Sequence, residues 1–385
     1  MIPYGRQDVT DADVEAVVAV LRSDFLTQGP VVPRFEAALA QYCGAPHAVA
    51  VNSATSALHI ACMALGLGPG DWLWTSPITF VASSNCGLYC GAQVDFVDID
   101  PRTYNLCPDA LERKLLRAQA EGRLPKVVVP VHFAGQPCDM RRIHALAQRF
   151  SFKLIEDASH AVGGRYLGQP VGDCRYSDVV VFSFHPVKII TTGEGGMAVT
   201  RDARLAARMA RLRSHGVTRD AADMTHAPDG PWYYQQIDLG YNYRMTELQA
   251  VLGESQLQRI DDYVARRHAL AARYDRLLEG LPVQRPWQHP DGYSGLHLYV
   301  VRITADAQVQ RDAVFARMRQ ADVGVNVHYI PVHTQPYYQQ LGVTYDALEE
   351  SMRYYAEAIS LPMFPGLDEA QQDAVVDALQ RSLAP

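Results

Sequence analysis

Apolar residues recur along this chain in two rhythms, and the switches between them mark the elements. Thr10-Asp-Ala-Asp13 reads as a helix start, because Val14, Val17, Val18 and Leu21 follow at the spacing of one helical face. After the Gly29-Pro30 turn, Val32, Phe35, Leu39 and Tyr42 repeat that spacing. Short apolar runs then alternate with helical stretches. His47–Val51 precedes a helix over Ala57–Leu65, and Trp72–Thr75 precedes one from about Val81. Val94–Asp98 and Lys126–His132 are further strands, with a helix over Met140–Phe150 and a strand over Phe152–Asp157. A hairpin is expected over Arg165–Val171. Val179–Phe184 and Met197–Thr200 read as buried strands flanking a glycine-rich turn. Such alternation predicts a mostly parallel sheet covered by helices.

Beyond about Arg201 the pattern changes. A helix carrying Leu205, Ala206, Met209 and Leu212 leads into a polar, Gly/Pro/Asp-rich excursion over 214–236. Thr246 is expected to cap a helix over Leu248–Arg259, followed by another over Asp261–Leu278 and a break at Gly280–Pro282. His297–Ile303 and Val325–Tyr329 are then expected as strands, with helices over Arg311–Ala321 and Glu369–Leu383. The expected architecture is α/β: a large domain over 1–250 and a smaller C-terminal α+β domain over 251–385.

The 385 residues are 48% hydrophobic and 20% charged, a globular balance. The net charge of -7 gives no support to nucleic-acid binding or to an anionic membrane partner. Seven scattered cysteines include no Cys-x-x-Cys pair, which fits reduced thiols in a cytoplasmic protein. Neither a signal peptide nor a membrane-length apolar run is found. Asp98-x-Asp100-Pro101 reads as a turn, and no metal site is expected.

Lys188 lies between the two buried strands, beside Ile189, Ile190 and a Gly-Glu-Gly-Gly turn. It reads either as a surface loop lysine or as a desolvated amine, whose lowered pKa would let it attack a carbonyl such as the aldehyde of pyridoxal phosphate. Asp157 ends a strand 31 residues earlier. It is either a helix cap or the partner of a protonated pyridine nitrogen. Asn52-Ser-Ala-Thr-Ser56, between a strand and a helix, is either a capping run through Thr55 and Ser56 or an anion seat. Phe80 is either core or the cover of a flat ring, and Leu26, Thr27 and Gln28 read as an inter-helix loop.

Taken in order, Leu26-Thr-Gln-Gly29, Asn52–Ser56, Ser76-Pro-Ile-Thr-Phe80, Glu156-Asp-Ala-Ser-His160, Ser183-Phe-His-Pro-Val-Lys188, Gly240-Tyr-Asn-Tyr-Arg244 and Val327-His-Tyr-Ile330 resemble the motifs of the sugar aminotransferases. These are a branch of the fold-type I enzymes dependent on pyridoxal phosphate. The resemblance runs from Tyr4 to the last helix. It is nearest to the branch that aminates a UDP-linked 4-keto sugar with glutamate in pseudaminic acid synthesis. Other members act on GDP- or dTDP-linked 4-keto sugars, and deoxygenating relatives carry histidine in place of the lysine. A PLP-binding regulator without turnover is the reading from another class.

The resemblance implies the roles that follow. Lys188 is the Schiff-base lysine, and Asp157 is the pyridine-nitrogen partner. Ala54, Thr55 and Ser183 contact the phosphate and ring, Phe80 stacks on the ring, and His160 bonds near its 3-hydroxyl. Asn242 reaches the phosphate across a homodimer interface. Tyr4, Leu26, Thr27, Gln28, Gly29, Ser56, Val327, His328, Tyr329 and Ile330 contact the sugar nucleotide.

Overall fold

A computed structural model describes residues 1–307 and 309–384. Its centre is a seven-stranded sheet. The strands are β1 (His47–Val51), β2 (Trp72–Thr75), β3 (Gln93–Phe96), β4 (Val127–Val129), β5 (Lys153–Asp157), β6 (Val179–Ser183) and β7 (Gly196–Thr200). Their spatial order is β1-β7-β6-β5-β4-β2-β3. β7 pairs antiparallel with both β1 and β6, while β6, β5, β4, β2 and β3 pair in parallel. β7 is the strand that returns through the Lys188 turn, which is why it alone runs against the rest.

Side chains alternate across this sheet. Val180 and Phe182 enter one core with Phe35, Leu39 and Met197; Val179 and Val181 enter another with Leu58, Ile60 and Ala61. Both faces are therefore covered, and every residue of β6 and β7 is buried. The first core is closed by α1 (Asp11–Leu21) and α2 (Val31–Cys43), the second by α3 (Ala54–Ala64), α4 (Ala82–Tyr89) and α7 (Ala203–Leu212). α5 (Pro108–Ala120) and α6 (Met140–Phe150) cover the far strands.

α8 (Glu247–Leu257) packs on α1 and α2 and so keeps residues beyond 250 with the large body. α9 (Ile260–Leu277) spans two cores: Ile260, Tyr263 and Val264 lie in the first, Leu270, Ala271 and Tyr274 in the small one. The small body holds an antiparallel sheet of β8 (Val283–Gln284), β9 (Tyr299–Ile303) and β10 (Ala358–Leu361). Its helices are α10 (Arg311–Gln320), α12 (Glu349–Glu357) and α13 (Glu369–Ser382), while the short α11 (Pro336–Gln340) packs back on the large body, where Tyr338 joins the second core and its hydroxyl donates to Asn85 Oδ1 of α4 at 2.7 Å.

Three local expectations are corrected. Val325–Tyr329 is not a strand: its backbone makes one bridge, Asn326 to Ser360, because the segment leaves the small core at Val325 and turns toward the cavity described below. β10 takes the place beside β9 instead. α3 begins at Ala54, and its cap is Ser53, whose side chain accepts the Ser56 amide; Thr55 and Ser56 are helical. The 214–236 excursion contains a short antiparallel pair, Val217–Thr218 with Gln235–Gln236. Among the described residues, no helix is long and apolar enough to cross a membrane.

Candidate active site

The sheet's registers gather the chemistry at one edge. Val51 and Ser183 both lie opposite Gly196, and Asp157 lies opposite Val181. The C-terminal ends of β1, β5 and β6 therefore open side by side, where α/β sheets take ligands. A cavity of about 850 Å³ occupies this edge.

Lys188 reaches it from a pinned turn. Its amide donates to the His185 carbonyl at 2.9 Å, and Thr192 N and Thr191 Oγ donate to the Phe184 carbonyl, both at 3.0 Å. Ile189 and Ile190 are buried in the core, which leaves Lys188 facing the cavity. The residue is half-buried because the cavity reaches it, yet its amine lies deep among protein atoms. That burial lowers its pKa to about 8, against the opposing charge of Asp157. The desolvated reading thus describes this lysine, and the surface-loop reading does not.

Asp157 is buried at the end of β5 and caps no helix. Its Oδ2 accepts from Ser83 Oγ at 2.6 Å and its Oδ1 from Ser159 N at 3.1 Å, which fixes the carboxylate on the wall. Opposite stands the start of α3. The amides of Ala54 and Thr55 belong to a first turn, which has no carbonyls behind it to bond. Ser53 caps that turn, and Ser56 Oγ donates to Asn52 Oδ1 at 2.7 Å. Free amides, a helix dipole and small side chains on one wall suit a phosphate.

A third wall is made of rings. His160 Nε2 and the Tyr329 hydroxyl are 3.1 Å apart. His328 Nδ1 is 2.7 Å from Ser360 Oγ. Burial, then the charge of Lys188, pushes the His328 imidazole down to about 3 and His160 well below the usual range. These imidazoles are neutral around a titratable amine. His160 Nδ1 and His297 Nδ1 are buried without partners among the described residues, so the wall awaits a polar group. An amine that loses its proton near neutrality, a fixed carboxylate, an anion seat and unmet ring nitrogens fit a flat, phosphorylated, carbonyl-bearing ring such as pyridoxal phosphate.

The sequence profile of the DegT/DnrJ/EryC1/StrS aminotransferase family matches residues 7–380. The chain belongs to that aminotransferase family. The spore coat polysaccharide biosynthesis protein SpsC of Bacillus subtilis (strain 168) is 39% identical over 383 residues, covering 98% of this chain and 96% of SpsC. Helicobacter pylori PseC, an aminotransferase involved in the biosynthesis of pseudoaminic acid, superposes with a TM-score of 0.91 at 30% identity, covering 99% of each chain. The putative sugar aminotransferase Spr1654 of Streptococcus pneumoniae, in its PMP form, superposes with a TM-score of 0.89 at 28% identity, covering 100% of this chain and 99% of Spr1654. The architecture is that of the fold-type I, PLP-dependent sugar aminotransferases, as the motifs implied.

Of the residues singled out by the resemblance, Ala54, Thr55, Phe80, Asp157, His160, Ser183 and Lys188 line the cavity. So do Tyr4, Ser56, Val327, His328 and Tyr329. Phe80 is 59% exposed, with its ring 6.4 Å from that of Tyr329. Leu26, Thr27, Gln28, Gly29, Asn242 and Ile330 are not on this chain's cavity wall. Leu26–Gly29 is tied to the start of α8, where Glu247 N donates to the Leu26 carbonyl and Thr27 bridges Thr246. Asn242 bridges Ser214. Sequence reasoning missed His297, Glu194 and Gln249, which also line the cavity. For His297 a signal existed: it is a polar residue within the apolar run from Leu296 to Val301.

Proposed function

We propose that this family member converts a UDP-linked 4-keto-6-deoxy-N-acetyl hexose to its 4-amino sugar, with glutamate as donor, in the cytoplasm. The cofactor is pyridoxal phosphate. The observation that carries the reading is the amine of Lys188, held near a pKa of 8 in the cavity it shares with Asp157 and the start of α3. When bound, the cofactor supplies an electrophilic carbon and a ring that takes up the electron pair left by a departing proton. Lys188 Nζ, neutral once free, takes the proton from the donor's amine-bearing carbon and later returns one to the sugar's C4. Asp157 would accept the N–H of the protonated ring nitrogen and keep it protonated. The amides of Ala54 and Thr55, with Ser183 nearby, would hold the phosphate, and Phe80 would cover the ring.

The sugar assignment is supported by the 30% identity to PseC. The 39% identity to SpsC supports a second reading, a different nucleotide-linked 4-keto sugar destined for a surface polysaccharide. In both readings the enzyme is a homodimer. Asn242, Leu26–Gly29 and Ile330, which lie off the chain's own cavity, then face the site of a second copy.

A panel of UDP-, dTDP- and GDP-linked 4-keto sugars with glutamate, read by mass spectrometry, tests the assignment. Amination of the UDP-N-acetyl substrate in preference to the others is expected. Amination of only a dTDP or GDP sugar would replace the first reading by the second. Lys188→Ala should lower turnover by about 10³-fold or more, and wild-type turnover in that variant would end both readings.

A further inference from the structure

His297 is 4% exposed, and its ring lies 4.5 Å from that of His160, centre to centre. Both rings line the cavity, and Nδ1 of each is buried without a partner among the described residues. An unmet buried polar atom costs about 1–3 kcal/mol, so the paired rings call for a reason.

The approach of the two rings is built into the backbone. At Gly135, where φ is +100°, a Cβ would stand 2.7 Å from the Leu296 amide nitrogen and 2.8 Å from the His160 carbonyl oxygen. Only glycine allows the 294–298 segment so close beneath the His160 turn. Gly295 N then donates to the Gly135 carbonyl at 3.0 Å. From the other side, the buried guanidinium of Arg267 donates through Nη1 to the carbonyls of Leu296 and His297 at 3.2 Å and of Met363 at 3.1 Å. His297 is thus held between the small body's core and the cofactor-side wall.

We propose that His297 is a positioning residue: its ring packs against His160 and fixes the place of that imidazole in the wall of the cofactor cavity, linking the small body to the cofactor site through Arg267. The inference rests on the reading of this cavity as the pyridoxal phosphate site. Tyr329 completes the arrangement. Burial raises its phenol pKa, so the hydroxyl stays protonated, and it lies 3.1 Å from His160 Nε2. Burial, followed by the charges of neighbouring groups, keeps both imidazoles neutral.

The test uses cofactor binding alone. His297→Ala and His297→Phe proteins, stripped of cofactor, are titrated with pyridoxal phosphate while the visible spectrum and Tm are recorded. His297→Ala should bind about tenfold more weakly with a displaced absorbance maximum and an unchanged Tm. His297→Phe, which keeps an aromatic face, should stay close to wild type in both readouts. Wild-type affinity and spectrum in folded His297→Ala overturn the proposal. So does an equal loss in His297→Phe, which would assign the effect to the ring nitrogens. If the alanine variant does not fold, His297→Leu, which has bulk without an aromatic face, takes its place with the same two outcomes. A sugar panel without product leaves this result standing, whereas wild-type protein that binds no pyridoxal phosphate overturns both readings.

Discussion

Asp13 and Lys188 are both ionisable groups taken into the protein, and their surroundings treat them in opposite ways. Asp13, fully buried between α1 and α8, accepts from Arg259 Nη2 at 2.7 and 2.9 Å, from Ser255 Oγ at 2.6 Å, from Gln256 Nε2 at 2.9 Å and from Thr10 N at 2.9 Å. Burial alone would raise its pKa, but these donors outweigh it and hold the carboxyl at about 2. Lys188 has burial with only the distant pull of Asp157, and its pKa falls to about 8. The first region satisfies its charge and locks two helices together. The second leaves its charge unsatisfied at a cost in stability, and that deficit is what makes the amine reactive. Within one chain, incomplete pairing therefore marks the site better than burial does.

The sharpest way to break the contrast is Asp13→Ala. Removing the acceptor leaves Gln256 buried and Arg259 unpaired, so urea denaturation should show a loss of about 3–5 kcal/mol. The pH dependence has a definite sign. The folded value of about 2 lies below the ordinary 3.8, so the contribution is complete above pH 3.8 and is lost as pH falls through 2. Wild type and variant should converge in acid, and a constant gap there would show that packing, not charge, is the cause.

Lys188→Met should do the reverse in cofactor-free protein, raising stability at pH 7. The expected gain is ~2 kcal/mol, reduced from the full shift because the cavity admits water. Here the folded value of about 8 lies below the ordinary 10.5, so the wild-type deficit is complete below pH 8 and fades as pH rises toward 10.5. Equal stability of the two proteins at pH 7 would mean that the amine is solvated.

The smallest effect belongs to the α8 cap. Thr246 Oγ accepts the Gln249 amide at 3.2 Å, and Gln249 in turn donates to the Glu194 carbonyl at 2.9 Å near the cavity. Thr246→Ala should cost about 1 kcal/mol in denaturant. It should leave the visible absorbance of the pyridoxal phosphate-loaded protein and its pH dependence unchanged.

Much of this architecture is legible in residue order. The 3.6-residue spacing of Val32, Phe35 and Leu39 marks α2, and the unbroken apolar run from Val179 marks β6, because burial on one face or on both writes itself directly into the chain; in α1 the spacing marks the helix but not its buried face, since Val14 and Leu21 are exposed while Asp13 and Val20 are buried. The Lys188 turn is legible for the same reason, being enclosed by two such runs. Val325–Tyr329 misleads because an apolar alternation is as compatible with a cavity wall as with a strand. Ala358–Leu361 escapes notice because the strand it pairs with, where Tyr299 lies opposite Leu361, is far away in sequence.

By itself, residue order determined the local elements, the family motifs and the presence of a lysine and an aspartate at strand ends, since each depends on neighbours within a few positions. Only the tertiary structure decided that Lys188 loses its water, that His297 slides beneath His160 past Gly135, and that Leu26–Gly29 and Asn242 stand off their own chain's cavity. Desolvation and contact depend on segments brought together from across the chain, and no stretch of sequence carries that information alone.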